Sequence, residues 1–208
     1  MSLRPCELGQ DFEVAPAEDF LSYLSEVDAL SQLIIGRDSL AWGAGFHVSD
    51  LTVTLQHLSW IQKTFSLGKA TCVNWFCEWG AGLGGVSACA SHLGFNAFGF
   101  EVDSRLVRQA KRLFGKYALD VQILEGSFLP DDAEIRRASE SFRSLETSKG
   151  SAWGKAPVPA EQVAVYYAYP WPGEESWFYH VFEQVASPGA LLFCFHGAGE
   201  YSLWEKVA

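Results

Sequence analysis

After residue 68 of this 208-residue chain, apolar runs of strand length alternate with amphipathic stretches of helix length. A helix that joins two strands carries the chain back along the sheet, so the strands lie parallel and the helices cover them. The candidate strands are CVNWFCE (72–78), AFGFE (97–101), VQILEG (121–126), QVAVYYAYP (162–170) and GALLFCFHG (189–197). The alternation therefore predicts an α/β fold with a mostly parallel sheet.

The segments between these strands show the apolar spacing of helices. The predicted helices cover 84–94, 104–117, 131–145 and 174–186. A stretch rich in Gly, Ser, Lys and Pro, 146–161, interrupts the alternation as a linker. The tail EYSLWEKVA (200–208) is typical of one further strand.

The first part of the chain has helical spacing without strands. Apolar residues recur at intervals of three and four in 17–34 and again in 49–65. This pattern predicts a helical N-terminal cap (1–68) ahead of the α/β core (69–208).

The stretch between the two cap helices, GRDSLAWGAGFHV (36–48), has neither periodicity, and we expect a lid or gate there. Within it, His47 is a candidate general base, with a structural role as the alternative. Ser49 or Asp50, which follow, are suited to cap the second helix.

Length and composition indicate one globular domain, since 49% of the residues are hydrophobic and only 19% are charged. The five cysteines are scattered without a C-x-x-C pair, which argues against a disulfide framework and a zinc site. No apolar run approaches the roughly 18 residues that span a membrane. We expect a soluble cytoplasmic protein that holds no metal.

The formal net charge of −10 disfavours a nucleic-acid partner, because such partners are held mainly by Lys and Arg. One basic group lies at helical spacing beside an apolar stripe, which is typical of a solvated helix face. Its members are Arg105, Arg108, Lys111, Arg112 and Lys116.

A glycine-rich turn, FCEWGAGLGG (76–85), separates the first core strand from its helix. Glycine adopts φ > 0 and lets a ligand approach the backbone. The glycines at 80, 82 and 85 match the G-x-G-x-x-G dinucleotide fingerprint, and Glu101 follows at about the expected 20 residues. Dinucleotide binding is therefore one interpretation of this turn.

Four motifs, in order along the chain, resemble those of the class I S-adenosylmethionine-dependent methyltransferases. They are CEWGAGLGG (77–85), GFEVDSRLVRQAKRL (99–113), LEGSF (124–128) and YYAYPWPGEE (166–175). The resemblance implies a Rossmann-like three-layer fold with strand order 3-2-1-4-5 and one or two extra strands. It also implies S-adenosylmethionine as the cofactor.

The resemblance also implies roles for individual residues. Glu101, at the end of the second core strand, would take the ribose hydroxyls, and Ser127 and Phe128 would border the adenine. The implied cofactor-binding residues are Glu78, Gly80, Ala81, Gly82, Gly84, Glu101, Val102, Ser127, Phe128 and Tyr169.

Charge distinguishes the two cofactors without the resemblance. Glu78 precedes the glycines directly, so its carboxylate would repel a pyrophosphate but suit the ammonium group of S-adenosylmethionine. A nicotinamide enzyme also needs a substrate domain, for which this chain leaves no room.

The segment after the fourth core strand is expected to line the methyl-transfer site. Tyr169 to Pro172 resembles the Asn-Pro-Pro-aromatic motif of amino-methyltransferases, but Tyr169 replaces the amide that accepts a hydrogen bond from an amine. Tyr169 is a candidate catalytic residue, while Trp171 and Glu174 are candidates for substrate contact. The alternative is that Trp171 packs and Glu174 begins a helix.

These observations predict a methyltransferase that acts on an unidentified acceptor, with a protein side chain or small molecule favoured over nucleic acid. A non-catalytic S-adenosylmethionine-binding regulatory protein is the main alternative. An NAD-binding protein and a relative that binds neither cofactor are the others. The oligomeric state stays open.

Overall fold

The computed structural model describes residues 2–37, 49–65, 74–139 and 149–208. The strands there are β1 (Leu3–Cys6), β2 (Trp75–Trp79), β3 (Asn96–Glu101), β4 (Val121–Glu125), β5 (Val163–Ala168), β6 (Leu191–Gly197) and β7 (Glu200–Lys206). The helices are α1 (Glu18–Arg37), α2 (Leu51–Thr64), α3 (Gly85–His92), α4 (Ser104–Tyr117), α5 (Ala133–Ser139) and α6 (Glu175–Val185).

All seven strands form one sheet, in the order β1-β7-β6-β5-β2-β3-β4. Five neighbouring strands of this sheet are parallel, namely β4, β3, β2, β5 and β6. Their order confirms the predicted 3-2-1-4-5 order of the core strands. β7, the strand expected from the tail, is antiparallel to β6. β1 is antiparallel to β7 and is the second added strand.

β1 was not predicted, because four residues that include Pro5 carry no readable period. Its place at the sheet edge suits a proline, which has no N–H to give to a further strand. Hydrogen bonds from Ser2 N to Glu183 Oε1 (2.5 Å) and from Val207 N to Ser2 O (2.7 Å) hold the segment in place. The predicted cap region therefore supplies one strand as well as two helices.

Helices cover both faces of the sheet. Side chains from α1, α2, α3 and α4 bury one face, and those from α5 and α6 bury the other. The two cap helices share a hydrophobic core with the sheet, since Phe20 of α1 and Leu58 of α2 belong to the same buried cluster as Phe193 of β6. A division of the chain at residue 68 stays a prediction.

Local signals begin the helices where the sequence indicated. Asp50 caps α2 by accepting hydrogen bonds from Thr52 N (3.0 Å) and Val53 N (3.1 Å). On α4, Arg105 pairs with Asp103 and Lys116 pairs with Glu26.

The remaining basic residues of α4, Arg108, Lys111 and Arg112, are exposed.

Cys6, Cys77, Cys89 and Cys194 are free thiols. Of the helices in the described residues, none has the length and apolar character needed to cross a membrane.

Candidate functional site

The glycine turn connects β2 to α3 at the carboxyl ends of the parallel strands, where open α/β sheets bind their ligands. Three of its glycines have left-handed backbones, with φ of +75° at Gly80, +54° at Gly82 and +74° at Gly84. The turn lies against β3, since Gly80 N and Ala81 N both donate to Phe100 O, at 3.0 and 2.8 Å. These bonds hold the turn against the end of β3.

The glycines of the turn have different reasons to be there. A Cβ at Gly84 would lie 2.4 Å from Phe114 Cζ, and one at Gly85 would lie 2.9 Å from the Leu51 side chain. Those two positions are required by helix packing. A Cβ at Gly80 would meet no atom within 4 Å, and Gly80 is exposed, so its backbone is open to a ligand.

Glu101 ends β3 and faces the turn. Its carboxylate accepts hydrogen bonds from Gly82 N (2.7 Å) and Asp103 N (2.8 Å), one at each oxygen. Burial raises the pKa of this carboxyl group, while the backbone N–H groups of Asp103 and Gly82 oppose the rise. Each oxygen keeps a further lone pair, so the carboxylate can also accept a ligand hydroxyl.

Glu78 lies on the same face of the sheet, one strand away. Its Oε2 accepts hydrogen bonds from Ser87 N (2.8 Å) and Ser87 Oγ (2.6 Å), which satisfies a free N–H in the first turn of α3. Burial raises the pKa of Glu78 to about 8. The sequence did not indicate Ser87, whose only signal is a hydroxyl in the first turn of this helix.

Ser127 and Phe128 follow β4 closely. Ser127 is 2% exposed, and its Oγ accepts a hydrogen bond from Leu129 N at 3.2 Å. The Phe128 ring stacks on Trp79, with ring centroids 4.8 Å apart and planes 10° apart. Trp79, which sequence reasoning missed, thereby joins the end of β2 to the predicted adenine side of the site.

The end of β5 supplies Tyr169, whose ring packs on Phe195 with centroids 4.8 Å apart. A Cβ at Gly197 would lie 3.1 Å from the Tyr169 hydroxyl, so this hydroxyl lies close to the end of β6. Trp171 is partly buried, and Glu174 is buried at the start of α6. Their predicted roles in substrate contact stay predictions.

One side-chain contact at this edge was not predicted. Tyr167 neighbours Glu78 on the adjacent strand, and its buried hydroxyl hydrogen-bonds to Ser49 Oγ, just ahead of α2. This contact ties the beginning of α2 to the site. Of the expected lid (36–48), residues 36 and 37 end α1, and residues 38–48, which include His47, lie outside the described residues.

Comparison with solved structures identifies the fold. A methyltransferase from Geobacter sulfurreducens aligns with a TM-score of 0.53 and 11% identity, over 95% of this chain and 94% of that one. An RNA methyltransferase from Salinibacter ruber, in complex with S-adenosyl-L-homocysteine, aligns with a TM-score of 0.50 and 11% identity, over 78% of this chain and 94% of that one.

No family model matches the chain, and no curated protein matches its sequence. The chain has the methyltransferase fold. At this identity the two alignments carry the fold alone, so the activity has to be argued from the site.

Proposed function

We propose that this chain is an S-adenosylmethionine-dependent methyltransferase. The observation that carries the proposal is the pair of buried carboxyl groups, Glu78 and Glu101, at adjacent strand ends on either side of an open glycine turn. Glu101 suits the ribose of either cofactor, whereas Glu78, directly ahead of the glycines, opposes the binding of a pyrophosphate. Together they favour a ligand with a cation near Glu78 and ribose hydroxyls near Glu101.

The residues of the site fit this cofactor. Glu101 is held toward the turn by two backbone N–H groups and retains lone pairs for the ribose hydroxyls. Gly80 leaves open space beside the turn. Glu78, with its pKa raised to about 8, would give up a proton readily once an ammonium group lies near it.

The bound cofactor would supply an activated methyl group, so the protein's task is to align the acceptor and remove water from it. Glu101 would hold the ribose, the turn at Gly80 and Gly82 would hold the methionyl end, and Phe128 would border the adenine. Tyr169 at the end of β5 would face the acceptor. The acceptor is proposed to be a protein side chain or small molecule, since the chain's net charge of −10 opposes nucleic acid.

Isothermal titration calorimetry with S-adenosylmethionine, S-adenosylhomocysteine and NAD tests the proposal. We expect both sulfur nucleosides to bind and NAD to give no heat of binding. Binding of NAD alone would contradict the proposal, as would the absence of binding by all three. Methyl transfer from radiolabelled S-adenosylmethionine to a panel of peptides and small molecules would separate an enzyme from a non-catalytic binding protein.

A further inference from the structure

A second polar group lies at the carboxyl end of β6, apart from the glycine turn. His196 Nε2 lies 2.7 Å from Ser202 Oγ, and Trp204 Nε1 donates a hydrogen bond to the same oxygen at 3.2 Å. All three side chains are partly buried. None of these three side chains is among the residues that the proposed function assigns to the cofactor.

A β-bulge sets the position of His196. Phe195 pairs with Tyr201 and Gly197 pairs with Glu200, so His196 is an extra residue without a partner on β7. Bulges redirect side chains and are common beside active sites. The bulge leads directly into a two-residue turn at the edge where the parallel strands end, so the backbone itself presents the imidazole at that edge.

His196 adjoins the segment that is expected to receive the acceptor. Its neighbour Gly197 lies near the Tyr169 hydroxyl, since a Cβ built at Gly197 would be 3.1 Å from it. Tyr169 packs on the sheet face that carries Phe195, whereas the imidazole, paired with Ser202, lies on the opposite face, toward α6.

Two carboxylates attract a positive charge on the His196 ring and so oppose the lowering of its pKa by burial. They are Glu175 of α6, whose Oε2 accepts a hydrogen bond from Gly173 N at 2.9 Å, and Glu200 of β7. Two carboxylates thus stabilise a protonated imidazole at this place.

The hydrogen bonds at Ser202 permit two forms of the ring, since a hydroxyl that accepts from Trp204 can either accept from His196 Nε2–H or donate to Nε2. The first of these forms is the one that suits a base. Trp204 Nε1 can only donate, so Ser202 Oγ accepts from it, and a second lone pair of that oxygen can accept His196 Nε2–H. Nδ1 then carries the free lone pair, and it makes no hydrogen bond with the residues described. Burial lowers the pKa of His196, which keeps the ring neutral and able to accept a proton near pH 7.

We propose that His196 is a catalytic residue that accepts, at Nδ1, the proton displaced from the methyl acceptor. The inference rests on the proposed function. In the transfer, a lone pair of the acceptor atom forms the new bond to the methyl carbon while the carbon–sulfur bond breaks and its electron pair stays on sulfur. The acceptor's proton passes to Nδ1 and then to solvent. Such an acceptor is a hydroxyl or an amine that must lose a proton.

Nuclear magnetic resonance of the full chain labelled with ¹⁵N-histidine tests this without an acceptor. His196→Gln identifies the signals of His196, and His92, at the far end of α3, is the internal control. Long-range ¹H–¹⁵N spectra report which ring nitrogen carries the proton. We expect Nε2–H in the free chain, and the Nδ1–H form would overturn the assignment of Nδ1 as the base.

The second measurement compares the pKa of His196 in the S-adenosylhomocysteine and S-adenosylmethionine complexes, which differ by the positive charge on sulfur. We expect a pKa lower by about 0.4 unit or more with S-adenosylmethionine, the Coulomb effect of a unit charge about 7 Å away in water. The pKa of His92 should not change between the complexes.

Equal pKa values of His196 in the two complexes would place it away from the transferring methyl group. That result would overturn this inference and leave the proposed function standing. If calorimetry shows that neither nucleoside binds, the proposed function fails and the inference fails with it.

Discussion

At the scale of single residues, the site depends on two carboxyl groups that do different work. Glu101 is held by N–H groups of the turn and its own following loop, and each of its oxygens keeps a further lone pair. Glu78 is committed to Ser87 and is buried at 4% exposure. The first carboxyl group should therefore govern cofactor affinity, and the second should make stability depend on pH.

Replacing Glu101 by Ala should weaken S-adenosylmethionine binding by about 1.5–3 kcal/mol, or roughly 10- to 150-fold, because it removes hydrogen bonds to a charged acceptor. Calorimetry measures the dissociation constant. Glu125→Ala is the matched control, since Glu125 ends the neighbouring strand β4 opposite Glu101 but is exposed. An unchanged dissociation constant for Glu101→Ala would remove this residue from the ribose site.

Glu78 should make the free energy of unfolding fall as pH rises. Its pKa is about 8 in the folded chain against 4.5 for the free side chain, so the folded state retains a proton that the unfolded state has released. The stabilisation is complete below about pH 4.5 and is lost as pH rises to about 8. Urea unfolding at a series of pH values measures this slope.

Glu78→Gln should flatten that slope because the amide does not titrate. Glu125→Gln, at an exposed position, should leave the slope as it is in the wild-type chain. A slope that persists unchanged in Glu78→Gln would show that another group is responsible.

At the scale of elements, the glycine turn combines two kinds of requirement. Gly84 is enclosed by α4, since Phe114 occupies the space that a Cβ would need. Gly80 has a similar left-handed backbone but open surroundings. One turn thus serves the packing of α3 at one position and leaves room for a ligand at another.

Gly84→Ala and Gly80→Ala should separate these requirements. The first adds a clash to backbone strain and should cost about 2–5 kcal/mol of stability, whereas the second adds strain alone, about 1–2 kcal/mol. Gly80→Ala should still weaken S-adenosylmethionine binding, because its Cβ enters the open space. Urea unfolding and calorimetry measure the two effects, and equal destabilisation by both variants would contradict the prediction.

At the scale of the whole molecule, the two ends of the chain meet at one sheet edge. β1 pairs with β7 along its full length. Gly189 N donates a hydrogen bond to Lys206 O (2.7 Å) and Lys206 N donates one to Ala190 O (2.9 Å). Because β7 also pairs with β6, β1 supports the hairpin that presents His196. The N-terminal segment therefore belongs to the same cooperative structure as the site.

Deleting residues 2–6 should lower the melting temperature by about 5 °C or more, since the β7 edge loses its ladder and each kcal/mol shifts the midpoint by about 2–4 °C in a domain of this size. Scanning calorimetry measures the change. Arg4→Ala is the control, because the Arg4 side chain is 63% exposed and its ion pair with Glu205 should contribute little. A deletion variant with the same melting temperature as the wild type would show that β1 does not contribute to stability.

The sequence alone determined the parallel core and the glycine turn with its two acids, because periodicity, glycine and charge act over a few neighbouring residues. The strand order was implied by the resemblance to the methyltransferases. Only the tertiary structure decided β1, the Tyr167–Ser49 contact and the His196–Ser202 pair. Each of these depends on a partner brought in by the fold or on a bulge in strand register, and neither leaves a periodic trace in the sequence. Local preferences depend on neighbouring residues in the sequence, whereas long-range contacts form only when the sheet and its helices assemble.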